Sequence, residues 1–124
     1  MTRNAVVIDD DPDFRDILTR ILGPEFHVSS SGDGEGGLRL CASGAPDLVL
    51  LDMCLPGLSG LGVLSRLAAD PKTAAVPVLA FSAGRVEGPL RDALRARGVV
   101  RVLDKLDHPR EFLAAARTLT GGGQ

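Results

Sequence analysis

Three runs of unbroken apolar residues, each stopping at a polar side chain, limit what this chain can fold into more than any other feature. Ala5-Val6-Val7-Ile8 stops at Asp9-Asp10-Asp11, Leu48-Val49-Leu50-Leu51 stops at Asp52, and VPVLAF (76–81) stops at Ser82. A strand that is apolar without alternation is covered on both faces, and such strands belong to parallel sheets packed between helices. Pro77 falls near the start of its run, where a missing N–H is best tolerated. At 124 residues the chain is one domain, long enough to bury a core without disulfide staples.

Two further segments, Phe26–Ser29 and Val100-Arg101-Val102, alternate and read as edge strands. Helical spacing fills the intervals. Asp11-Pro12 reads as a cap and first-turn proline before Phe14, Ile17, Leu18, Ile21 and Leu22, and Gly23-Pro24 ends that helix. A weaker helix surrounds Leu38, Cys41 and Ala42, and a third carries Leu61, Leu64, Leu67 and Ala68. A fourth runs from about Glu87 to Arg97 and stops at Gly98; a fifth opens at Asp107-His108-Pro109 and carries Phe112, Leu113, Ala116 and Leu119. Five strands alternating with five helices predict an α/β fold: a five-stranded parallel sheet with right-handed crossovers and helices on both faces. With the second and fifth strands at the edges, the order is 2-1-3-4-5, the flavodoxin-like doubly wound arrangement. The domain is expected over residues 1–120, with 121–124 a flexible tail or the start of a linker.

Charge and composition remove several classes. Sixteen acids against fourteen bases leave a net charge of −2, which argues against a direct nucleic-acid binder. No apolar run approaches a membrane span, and Met1-Thr2-Arg3 leads straight into a short strand instead of a signal peptide. Cys41 and Cys54 form neither a CxxC nor a disulfide framework, which fits a reduced, cytoplasmic protein.

In an open parallel sheet the crevice lies beyond the carboxyl ends of the strands, where the strand order reverses. Asp9 and Asp10 follow the first strand, Asp52 ends the third, Ser82 ends the fourth and Lys105 follows the fifth. Three carboxylates cannot stay ionised together without a cation. A few hard oxygen ligands on a rigid frame suit Mg²⁺, which keeps waters and takes a phosphate oxygen. Ser82 and Lys105 would complete a cradle for a tetrahedral oxyanion, and the central Asp52 is the candidate nucleophile for an aspartyl-phosphate.

These segments resemble the receiver (CheY-like) domain of bacterial two-component response regulators. The resemblance runs from about Asn4 to Leu119 and rests on VVIDDDPDFR (6–15), DLVLLDMCLPGLSG (47–60), VPVLAFSAG (76–84) and the Lys105 segment. It implies that Asp10 contacts Mg²⁺ directly, that Asp9 does so mainly through water, and that the Cys54 backbone carbonyl is another ligand. It implies that Asp52 is the phosphoacceptor, Ser82 the switch hydroxyl and Lys105 the phosphoryl contact. The implied donor is a phosphohistidine on a histidine kinase or phosphotransfer protein. The implied output face is the fourth helix, fifth strand and fifth helix, with an unknown partner and a possible homodimer. Two positions depart from the pattern. Val102 stands where the family usually has Tyr or Phe, so the usual aromatic relay cannot operate. Leu106 stands where proline usually follows the lysine, which predicts a trans bond and a rearranged loop. Asp104 and Asp107 flank Lys105 and are expected to compete for its charge.

Other features read more simply. Asp11 and Asp13 serve capping and first-turn roles. Gly32–Gly37 contains GxGxxG but follows the second strand and carries Asp33 and Glu35, which would repel a pyrophosphate. His108 is a helix-start residue, His27 an exposed edge residue, Cys41 packing, and Cys54 a small neighbour of the site. Arg85, Arg91, Arg95, Arg97 and Arg101 form a solvated face or a dock for an acidic partner. Two rival functions stand beside the receiver. One is a docking domain that needs no phosphorylation. The other is a small haloacid-dehalogenase-like phosphatase suggested by the D-x-D of Asp9–Asp11, against which stand Asp13 and the lack of room for a cap domain.

Overall fold

The computed structural model describes residues 2–99 and 101–121. Its elements are β1 (Arg3–Ile8), α1 (Pro12–Leu22), β2 (Phe26–Ser31), α2 (Gly34–Gly44), β3 (Leu48–Asp52), α3 (Gly60–Ala69), β4 (Val78–Ser82), α4 (Gly88–Ala96), β5 (Val102–Asp104) and α5 (Pro109–Leu119). The five strands form one parallel sheet in the order β2-β1-β3-β4-β5. Sequence expectation and structure agree on element order, sheet order and edges.

The period of two along each strand splits the core into two layers. Val6, Ile8, Val49, Leu51 and Ala80 pack with Cys41, Val63, Leu64, Leu67 and Leu94 of α2, α3 and α4. Ala5, Val7, Leu48, Leu50, Leu79, Phe81 and Leu103 pack with Leu18, Leu22, Phe112 and Ala116 of α1 and α5. Both faces of β1, β3 and β4 are thereby covered, which is why their sequences lack alternation. Helix α2 lies unusually close to the sheet, because a Cβ on Gly37 would collide with the Ile8 side chain.

Two strand boundaries differ from expectation. β4 begins at Val78 instead of Val76: Thr73 and Val76 sit in a hydrogen-bonded turn, and Pro77 contributes its carbonyl to Val49 N–H but has no N–H to give. β5 lies at Val102–Asp104 and not at Val100–Val102. Its ladder runs Ala80 to Val102, Phe81 to Leu103 and Ser82 to Asp104, so Leu103 is the residue buried against α5. Val99 is also buried, but beneath α4, where it ends the helix by donating to Leu94. Val100 and the last three residues of the expected tail lie outside the described residues.

Helix ends follow the predicted chemistry. Asp11 caps α1 by accepting from Asp13 N–H (2.9 Å) and Phe14 N–H (3.4 Å). His108 caps α5, its Nδ1 accepting from Arg110 N–H at 3.1 Å. No helix among the described residues is long and apolar enough to cross a membrane.

Candidate functional site

The carboxyl ends of β1 and β3 deliver Asp9 and Asp52 to one spot, and both side chains are buried. Asp10, one residue further on, is exposed at the rim. Carboxylate oxygens of all three lie within 4.8 Å of one another. The turn between β5 and α5 then carries Lys105 back across the sheet. Its Nζ donates to Asp9 Oδ1 at 3.0 Å, lies 2.9 Å from Asp9 Oδ2, and stands 3.2 Å from Asp52 Oδ2. Asp9 Oδ2 is buried and in ion-pair contact with the ammonium, but among the described residues it makes no well-aligned hydrogen bond.

Burial pushes the Asp9 carboxyl up to about 6. The Asp11 N–H at 3.0 Å and the Lys105 ammonium oppose that rise, and the neighbouring Asp52 adds to it. For Lys105, burial works against the charge, yet the hydrogen bonds and fields of Asp9 and Asp52 outweigh it and raise its pKa. The centre is thus acid-rich, with one ammonium against three carboxylates. Three carboxylates offering oxygens within 4.8 Å of one another, against a single ammonium, fit a hard divalent cation such as Mg²⁺.

Asp52 is fixed from both sides. Its Oδ1 accepts from Cys54 N–H at 2.8 Å, and Met53 N–H donates to Phe81 O at 2.8 Å, joining the end of β3 to β4. Ser82, at the end of β4, is buried, and its hydroxyl meets the Cys54 thiol at 3.2 Å. Lys105 N–H donates to Ser82 O at 3.0 Å, so the backbone of the lysine turn hangs from the same residue.

Asp9, Asp10, Asp52 and Lys105 therefore converge, and Ser82 joins them through the Cys54 thiol. One expectation does not survive: Asp104 and Asp107 do not compete for Lys105. Asp104 Oδ1 accepts from Leu106 N–H at 2.8 Å and Asp107 Oδ2 accepts from Asp104 N–H at 2.9 Å. Both carboxylates are spent on shaping the turn that proline would otherwise shape. The Lys105–Leu106 bond is trans, as expected, and Leu106 is 92% exposed.

Other contributors were not legible as such. Arg15 donates from Nη1 to Asp9 O at 2.7 Å and pins the loop after β1. Its position on the first turns of α1 offers no signal beyond a helical charge. Phe14 and Phe81 lie beneath Lys105, with ring centres 5.0 and 5.8 Å from Nζ, and both stack with Phe112. In sequence these rings read only as core.

Residues 5–117 match the family described as the response regulator receiver domain. Among curated relatives, the cyclic di-GMP phosphodiesterase response regulator RpfG of Xanthomonas campestris pv. campestris is 34% identical over 119 residues, 94% of this chain and 31% of that protein. The DNA-binding dual master transcriptional regulator RpaA of Synechocystis is 34% identical over 92% of this chain and 47% of its own length. The chain therefore spans less than half of either relative. Chemotaxis protein CheY4 of Vibrio cholerae superposes with a TM-score of 0.89 at 17% identity, covering 96% of this chain and 99% of that one. The receiver domain of a sensor histidine kinase from Pseudomonas aeruginosa PAO1, solved with a magnesium ion in its active-site cleft, superposes with a TM-score of 0.85 at 21% identity, covering 98% and 99%. At those identities the two solved structures speak for the fold; the family match over residues 5–117 speaks for kinship. This chain belongs to the response regulator receiver domain family.

Proposed function

We propose that the chain, over residues 1–120, is a phosphoacceptor module of a two-component relay, with Asp52 as the acceptor. The observation that carries this reading is the convergence of Asp9, Asp10 and Asp52 within 4.8 Å under a lysine that contacts two of them. An Asp52 carboxylate oxygen attacks the phosphorus of a phosphohistidine; the P–N bond breaks, a P–O bond forms, and the imidazole leaves with a proton. Asp9, Asp10, Asp52 and the Cys54 carbonyl are the residues that would hold Mg²⁺, which when bound would neutralise charge between the carboxylates and the phosphoryl oxygens. Lys105 then trades carboxylate contacts for a phosphoryl oxygen, and Ser82 donates to another. The donor is a histidine kinase or a histidine phosphotransfer protein, and the setting is the cytoplasm. The chemistry is self-phosphorylation and slow hydrolysis, without turnover of a free substrate.

Output is proposed through the α4-β5-α5 face. There Val102, half-buried, borders a groove of about 540 Å³ together with Gly84, Arg85, Val86, Arg91 and Asp107. A branched aliphatic side chain cannot swing through that space as a ring would. The signal must pass through the loop after Ser82 itself, where Gly84 holds φ at +115°.

The test is incubation of the purified protein with Mg²⁺ and acetyl phosphate, read by intact mass because the chain contains no tryptophan to report on the site. One added phosphoryl group, lost in Asp52→Asn, is the expected result. Failure of both acetyl phosphate and a phosphohistidine donor on folded protein would overturn this reading in favour of a phosphorylation-independent docking domain.

A further inference from the structure

We propose that Cys54 is a positioning residue that stages the Ser82 hydroxyl for the phosphoryl group; the inference rests on the phosphoacceptor reading above. Ser82 is buried, 5% exposed, and a buried hydroxyl needs a hydrogen-bond partner. Among the described residues the side chain of Ser82 finds one, the Cys54 sulfur at 3.2 Å. Cys54 is itself anchored to the acceptor, since its N–H donates to Asp52 Oδ1 at 2.8 Å. The thiol therefore ties the hydroxyl at the end of β4 to the loop that follows Asp52. A hydroxyl left without that tie is free to choose among three staggered wells.

Sulfur is a suitable holder because its S–H can donate to the hydroxyl oxygen and leave the hydroxyl hydrogen free. With the thiol donating to Ser82 Oγ, that hydrogen stays available for a charged phosphoryl oxygen, so the tie persists when the charge-assisted bond forms. The hydroxyl is thus held in one rotamer beside Cys54 before the phosphoryl arrives and keeps that contact afterwards. A residue without a polar side-chain atom at position 54 would leave Ser82 to be ordered at the moment of reaction, and that ordering costs affinity.

The experiment is a double-mutant cycle on Cys54→Ala, Ser82→Ala and the pair, reading the acetyl phosphate concentration that half-phosphorylates the protein. Cys54→Ala is expected to raise that concentration up to about threefold, as one populated staggered well becomes one of three. Cys54→Ser keeps a donor-acceptor at the position and is expected to stay within about twofold of wild type. In the Ser82→Ala background Cys54→Ala is expected to add nothing. An equal loss in both backgrounds, or no loss in either, overturns the proposal. Side-chain couplings of Ser82 measured by NMR in EDTA give a second readout that does not depend on phosphorylation. They are expected to pass from one staggered state to an average in Cys54→Ala, and unchanged couplings overturn the tie. Absence of a phosphoryl adduct on wild-type protein would defeat the phosphoacceptor reading, and the couplings would still judge the contact.

Discussion

Lys105 reaches Asp9 across the open end of the sheet, its Nζ 3.0 Å from Oδ1 and 2.9 Å from Oδ2, and the same nitrogen stands 3.2 Å from Asp52 Oδ2. One ammonium thereby serves two buried carboxylates brought from separate strands. Removing it leaves two desolvated anions side by side, and breaking such a buried pair by taking one partner is costly. Because Lys105 keeps some contact with solvent, the loss is expected to be moderated. Lys105→Met should destabilise the protein by about 2 kcal/mol in EDTA, measured by urea unfolding. It should also tighten Mg²⁺ binding, since the competing cation is gone. A variant of wild-type stability with weaker Mg²⁺ affinity would contradict both parts.

Asp9 contributes a pH dependence of stability opposite in sign to that of an ion-paired surface carboxylate such as Glu25. Its carboxyl is raised to about 6 in the folded chain, chiefly by burial, against an ordinary value of 3.8. Between those values the folded state holds more protons than the unfolded state, so lowering the pH stabilises the fold. In EDTA, the contribution of Asp9 should rise by roughly 2 kcal/mol as the pH falls from about 7 toward 4, read as the difference between wild type and Asp9→Asn because the lowered Glu25 carboxyl works the other way at the acid end. Asp9→Asn should flatten that slope and be the more stable protein at pH 7. Lys105 does not blur the window: its raised pKa gives stability that is present below 10.5 and lost only as pH climbs through the higher folded value. Denaturant midpoints at intervals of half a pH unit would decide it; a slope of the opposite sign would refute the assignment to Asp9.

Gly37 tests how tightly α2 is seated. A Cβ there would overlap two atoms of the Ile8 side chain and crowd a third, and Ile8 is fully buried on β1 immediately before Asp9. Overpacking of this kind costs about 1–3 kcal/mol. Gly37→Ala is expected to lower the thermal midpoint, and Ile8→Val in the same chain to restore part of it. If the two losses simply add, the clash is not the cause.

Much of this was readable in advance, and the reason is topological. An apolar run without alternation can only be a covered strand, and the polar residue that ends it must emerge at the carboxyl edge of the sheet. Asp9, Asp52 and Ser82 stand at that edge for this reason. Alternation misleads at β5, because Val100-Arg101-Val102 alternates as an edge strand would while the residue that buries is Leu103. Sequence position misleads for Asp104 and Asp107 as well. A carboxylate folded back on its own turn and one facing a lysine look alike in sequence, and only the backbone path decides between them. The Cys54–Ser82 contact spans 28 residues and depends on side-chain direction at two strand ends, which no spacing encodes.

Ser82 is followed by Ala83-Gly84-Arg85, all exposed, and Gly84 occupies a φ of +115° that few side chains adopt. Helix α4 begins beyond them at Gly88, and its cap residue Glu87 makes no side-chain bond to the helix. Arg85 holds Glu87 by an exposed ion pair at 3.1 Å, which contributes little to rigidity. The segment between the site and α4 is therefore held mainly by Val86, buried against Leu94 and its neighbours. A pull on Ser82 can reach α4 through that short link without an aromatic at position 102. With Mg²⁺ and beryllium fluoride as a phosphoryl mimic, amide exchange in residues 83–91 is expected to slow at least severalfold in wild type, and to stay unchanged in Ser82→Ala. Val102→Phe should leave this response in place, because the link does not run through β5. A response that survives Ser82→Ala, or that appears only once Phe occupies position 102, would mean the output depends on the aromatic route after all.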